Sequence, residues 1–180
     1  AQPSIDQMLA RLQKAKGAER ADVLNSIAYE FTTQGQWEKA IEYGNMALKY
    51  SQSIEYTHGE MKALYNLGDA YIEQNNFHEC IFYFENALQA AVELKDWAEA
   101  ASAANSLGYA YSFLGDMQSS LDFFLLAQEH NEKTEDNEFA ALLLNNIGSS
   151  YGDLGDYRKG LEYYLRAEEI YKVLQDSAGL

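Results

Sequence analysis

Proline is nearly missing from this chain of 180 residues: Pro3 is the only one, so no proline breaks a helix beyond it. Cysteine is as scarce. Cys80 stands alone, which excludes an intrachain disulfide framework and a cysteine-based zinc site. The three histidines, His58, His78 and His130, are too scattered for a histidine metal cluster, and no cofactor is expected. No apolar run reaches the roughly 18 residues of a membrane span, so direct membrane insertion is excluded. Basic residues are also few. Thirteen stand against 28 acidic ones, for a formal charge of −15, and between residues 63 and 157 only Lys95 and Lys133 are basic. A field of that sign repels phosphate, so nucleic acid and anionic membranes are poor partners and a neutral or basic one is expected. Hydrophobic residues make up 47% of the chain, enough for a real core.

What the chain does have is a period of 40 residues without insertion or deletion. The segments NSIAYEF, YNLGDAY, NSLGYAY and NNIGSSY begin at Asn25, Tyr65, Asn105 and Asn145. In register within them lie Ile27, Leu67, Leu107 and Ile147, then Ala28, Gly68, Gly108 and Gly148, then Phe31, Tyr71, Tyr111 and Tyr151. Four residues on comes Gly35, Asn75, Gly115 or Gly155, and further along the small residues Ala40, Cys80, Ser120 and Gly160. The spacing of Leu24, Ile27 and Phe31, or of Leu64, Leu67 and Tyr71, is one helical stripe. The Gly/Asn slot ends that helix in a left-handed turn. A second helix follows, whose small slots let the two axes approach closely. Each repeat therefore reads as an antiparallel helix pair, and residues 4–16 read as an extra leading helix with Ser4 as N-cap and Gln7 three residues on.

The pattern of apolar residue, Leu-Gly, Tyr, Gly, then Ala, aromatic and Ala resembles the tetratricopeptide repeat over about residues 20–175. The resemblance implies an all-α solenoid of four antiparallel helix pairs, a right-handed superhelix, with one leading helix. Its expected divisions are 1–18 for the leading helix, 19–56, 57–96, 97–136 and 137–176 for the repeats, and 177–180 for the start of a truncated fifth. The usual repeat has 34 residues and often ends in proline; the longer repeat here is that of kinesin light chain, Pins-type adaptors and bacterial signalling proteins. Gly44 departs from the pattern at a slot that normally carries an aromatic, and Tyr43 is expected to compensate. Because Asp176-Ser177-Ala178-Gly179-Leu180 falls in register with Asp136-Asn137-Glu138-Phe139-Ala140, and the chain starts without Met, it is expected to be part of a longer protein, cytoplasmic or periplasmic.

Little in the sequence suits catalysis, and no enzyme is expected. Gly148, Gly152 and Gly155 follow a helical pattern and lack phosphate-loop spacing; Cys80 shares its slot with Ala40 and reads as a buried, inert thiol. The resemblance instead places function in a concave groove lined by the first helices. The slots it assigns there hold Asn25 and Tyr29, then Tyr65, Asn66, Asp69 and Glu73, then Asn105, Tyr109 and Phe113, then Asn145, Asn146 and Asp153. An Asn amide pairs with the backbone of an extended peptide whatever its sequence, or else bonds the neighbouring helix. Tyr29, Tyr65, Tyr109 and Phe113 offer anchoring area, and Asp69, Glu73 and Asp153 favour a neutral or basic peptide. The expected function is a peptide-binding recognition or sensory region of a larger bacterial signalling protein. The alternative is a homo-oligomerisation module using the uncapped C-terminal edge near Ile170, Val173 and Leu174.

Overall fold

A computed structural model of the chain describes residues 3–178, with side chains through Gln175. The described residues form nine α-helices and no strand. They fall into two compact units, one ending at Leu94 and the other beginning at Lys95.

The first unit holds α1 (Ile5–Leu12), α2 (Gly17–Thr33), α3 (Trp37–Ser53), α4 (Thr57–Glu73) and α5 (Phe77–Leu94). Ser4 and Gln7 form the capping box read from the sequence, at 3.3 and 3.0 Å. Met8 and Leu12 on α1 join Leu24, Ile27 and Phe31 on α2 in one core. Arg20 donates to the Leu12 carbonyl at 2.8 Å, which satisfies the end of α1.

The second unit holds α6 (Trp97–Phe113), α7 (Met117–Asn131), α8 (Asn137–Asp153) and α9 (Tyr157–Ala178). Here each helix start is capped by a carboxylate: Asp96, Asp116, Asp136 and Asp156 accept from the amides of Glu99, Ser119, Phe139 and Lys159. Each such cap stabilises by about 0.5–2 kcal/mol. In the first unit α2, α3 and α4 begin without a side-chain cap. Residues 177 and 178, expected to open a further repeat, continue α9; residues 179 and 180 lie outside the described residues.

Close approach of the paired helices follows from a small-to-ring match. A Cβ on Gly68 would lie 2.5 Å from the Phe84 ring, one on Gly108 would lie 2.5 Å from Phe124, and one on Gly148 would lie 3.1 Å from Tyr164. The first repeat has Ala28 at the glycine slot and Gly44 at the ring slot. Tyr43 does not compensate there, contrary to expectation. It stays in its own slot against Phe31, centroids 5.4 Å apart, as Tyr83 does against Tyr71, Phe123 against Tyr111 and Tyr163 against Tyr151. The space above Gly44 is taken by Leu67, whose Cδ2 an added Cβ would meet at 2.9 Å.

Turns between paired helices put Gly35, Asn75, Gly115 and Gly155 at φ of 57–85°, as their spacing predicts. Glu55, Lys95 and Glu135, which join one pair to the next, also have positive φ (53–60°), and nothing in those residue types announces it.

The glycine match gives a paired prediction. Gly108→Ala gains up to about 1 kcal/mol of helix propensity but overpacks the buried Phe124 ring by about 1–3 kcal/mol, so it lowers the unfolding midpoint. Gly152→Ala, whose Cβ meets nothing within 4 Å, raises it by about 0.5–1 kcal/mol. Urea unfolding of the two variants beside the parent checks both signs.

Candidate functional site

The first helices of consecutive pairs, α2 with α4 and α6 with α8, meet along polar seams. On α2, Asn25 is only 4% exposed, and its Nδ2 donates to the Gly59 carbonyl on α4 at 2.9 Å. Asn66 on α4 donates back to the Asn25 carbonyl at 3.1 Å and to its Oδ1 at 3.3 Å. In the second unit Asn146 on α8 donates to Asn105 Oδ1 on α6 at 2.9 Å, and Tyr109 Oη donates to Asn146 Oδ1 at 3.0 Å. The bonds between neighbouring helices, the second of the two roles open to these asparagines, are therefore formed. Net, each such bond contributes on the order of 1 kcal/mol, more where its loss strands a buried group.

The remaining site residues divide between packing and exposure. Asn25 is corrected outright: buried between α2 and α4, it has no face to offer a ligand. Tyr65 is half-buried with its ring edge-on to Phe84 of α5 at 5.4 Å, so it serves the packing of α4 on α5. Tyr109 packs in the same way on Phe124 at 5.2 Å yet remains partly exposed. Tyr29 and Phe113 are exposed, as are Glu73 and Asp153; Asp69 is half-buried. Asn145 is half-buried, and its amide makes no hydrogen bond among the described residues. The same holds for Asn66 Oδ1 and Asn105 Nδ2, and none of these atoms is among the fully buried ones that lack a partner.

Ionisable groups outside the seams suit structure. Burial pushes the Cys80 thiol up to about 11, against a backbone hydrogen bond at Ile81, so the reactive thiolate is suppressed at neutral pH. His130 stacks on Trp97 at 5.7 Å; burial first, then Lys133, holds it below its ordinary value against the pull of Glu129. Among the described residues no group of three or more His, Cys, Asp and Glu side chains could hold a metal ion, and no helix is long and apolar enough to cross a membrane.

Comparison with known proteins agrees with this architecture. Tetratricopeptide repeat models match residues 59–133 and 141–173, together more than half of the chain. BtubC (BKLC) from P. vanneervenii superposes with a TM-score of 0.84 at 20% identity, over 95% of this chain and 72% of that one. Apo RapI superposes with 0.81 at 19% identity, over 92% of this chain and 47% of its own. A Rap protein complexed with Competence and Sporulation Factor gives 0.82 at 19% identity, over 96% and 49%. The chain thus spans about half the length of the Rap structures. No curated protein sequence matches it significantly.

The seams separate structural asparagines from available ones. Asn25→Ala removes a buried bond between α2 and α4 and the Oδ1 acceptor of Asn66, and costs about 1–3 kcal/mol, whereas Asn145→Ala changes stability by no more than about 0.5 kcal/mol. Equal effects of the two in denaturant unfolding would contradict this division.

Proposed function

Because the chain belongs to the tetratricopeptide repeat family, whose fold is a scaffold for protein interaction, we propose that it binds an extended, neutral or basic peptide segment without catalysing a reaction. The observation that carries this reading is that each unit leaves amide atoms of its first helices without a partner among the described residues and not fully buried: Asn66 Oδ1 in the first unit, and Asn145 and Asn105 Nδ2 in the second. Asn offers both donor and acceptor, so such positions meet a peptide backbone without regard to its side chains. The seams already fix the orientation of Asn66 and Asn105, which lowers the ordering cost of binding there. Exposed Tyr29 in the first unit, and Phe113 with the half-exposed Tyr109 in the second, supply anchoring area. Asp69, Glu73 and Asp153 set the charge preference, acting on encounter and register more than on affinity. We further propose that the chain serves as the recognition region of a larger bacterial signalling protein; the Rap structures, which share its fold at about twice its length, support this.

A peptide-array screen followed by titration tests the reading. The combined variant Asn145→Ala/Phe113→Ala, at unchanged helicity, is expected to weaken the best peptide at least about tenfold, near 1.4 kcal/mol. Binding that survives it unchanged moves the site off the first helices.

One further observation favours a second reading, assembly of copies through α9. Leu161 is 58% exposed where its register equivalent Leu121 is 4% exposed, and Tyr164 is 43% exposed where Phe124 is 3% exposed. Residues 121 and 124 are covered by Ile147 of the following helix. Ile170, Val173 and Leu174 line a shallow cavity of about 220 Å³ farther along α9. On this reading, the mass measured by light scattering rises with concentration and returns to that of a monomer in Leu161→Glu/Val173→Glu. A parent chain monomeric at all concentrations eliminates it.

A further inference from the structure

Two register-equivalent places in the chain are built differently. In the first unit Tyr56, in the loop before α4, lays its ring across Gly59, where an added Cβ would lie 2.4 Å from it. Its hydroxyl donates to Asp22 Oδ1 on α2 at 3.2 Å. The ring therefore bridges the start of α4 to α2, and Lys62 follows on α4. Eighty residues on, the positions of Tyr56, Gly59, Asp22 and Lys62 hold Asp136, Phe139, Ser102 and Leu142. Asp136 turns its short side chain back onto the Phe139 amide at 3.0 Å to cap α8. Between α6 and α8 there is instead an open cleft of about 590 Å³, lined among others by Ala98, Ser102, Asp136, Glu138, Phe139 and Leu142.

We propose that this cleft is a specificity pocket for an arginine or lysine side chain of a protein or peptide partner; it rests on the reading of the first helices as the binding face. Its walls, Ala98, Phe139 and Leu142, suit the aliphatic stem of a long basic side chain, and the Phe139 ring offers a surface on which a guanidinium stacks. Asp136 and Glu138 carry the charge that such a cation meets, and no lining residue is basic. In the first unit the chain itself supplies a ring and a cation at these positions, Tyr56 and Lys62. In the second unit Lys133, close in sequence, sits over the Trp97 ring at 4.2 Å and beside Glu129 at 3.6 Å. The cation that complements the cleft is therefore one the partner brings.

The test titrates the isotope-labelled chain with N-acetyl-argininamide, N-acetyl-lysinamide and the neutral isostere N-acetyl-citrullinamide, reading backbone amide shifts by NMR. The cationic compounds are expected to produce saturable shifts clustered at residues 98–102 and 136–142, with the citrulline compound at least about fivefold weaker. Leu142→Lys, which installs the first unit's residue on an exposed position, is expected to abolish them, and Glu138→Gln to weaken them about threefold or more. Equal binding of the citrulline compound, saturable shifts elsewhere, no saturable shift at all, or full binding to Leu142→Lys each overturn the proposal. Asn145→Ala is expected to leave this titration unchanged. Peptide binding that survives Asn145→Ala/Phe113→Ala, with the arginine titration standing, therefore marks failure of the clamp reading and not of the pocket.

Discussion

The distance between paired helices governs the rest of this molecule. In two pairs that distance is set where an aromatic ring on the second helix rests directly on the backbone of the first, at Phe84 over Gly68 and Phe124 over Gly108; in the last pair it is set where Gly160 meets the Gly148 carbonyl oxygen, which an added Cβ would approach to 2.8 Å. Only a residue without Cβ leaves room for the ring at that separation. With the pair spacing fixed, the apolar stripes of both helices meet in a continuous core, and the polar side of the first helix is left at the seam with the next pair. The first repeat reaches a related end differently, with Gly44 on the second helix and Leu67 of α4 entering the gap.

Polar seams between first helices are the consequence that bears on function. A buried amide costs free energy unless it is bonded; Asn25 meets that demand by donating to the Gly59 carbonyl and accepting from Asn66, and in the second unit Asn146 donates to Asn105 and accepts from Tyr109. The bonds are directional, so they also orient the amide atoms that remain accessible. The same residues thus hold neighbouring helices together and present a fixed hydrogen-bonding edge. Cys80 and His130 serve packing beside them: burial keeps the Cys80 thiol protonated at neutral pH, and His130 stacks on Trp97.

Much of the fold was legible in the sequence because it repeats. The 40-residue register implied consecutive helix pairs, and the glycines and Asn75 that turn one helix into its partner announced their positive φ. The turns at Glu55, Lys95 and Glu135 were silent, since their residue types do not favour the left-handed region and only their surroundings hold them there. The candidate site was legible only as a set of register slots. Register could say that Asn25 and Asn145 occupy one slot; it could not say that Asn25 is buried against Gly59 while Asn145 is not, because that depends on which residue the next helix brings opposite. Tyr65 shows the same limit: its slot lies between groove and pair interface, and register alone does not say that its ring meets Phe84. The cleft at Phe139 and Leu142 has its only sequence signal in comparison across two repeats, where Asp136 replaces Tyr56.

The most direct test of the account is a crystal structure of the chain with its best-binding peptide. The account predicts an extended peptide whose backbone amides bond the side chains of Asn145, Asn66 or Asn105. A peptide seated on the second helices α3, α5 or α7, or along α9, with those asparagines untouched, would contradict it.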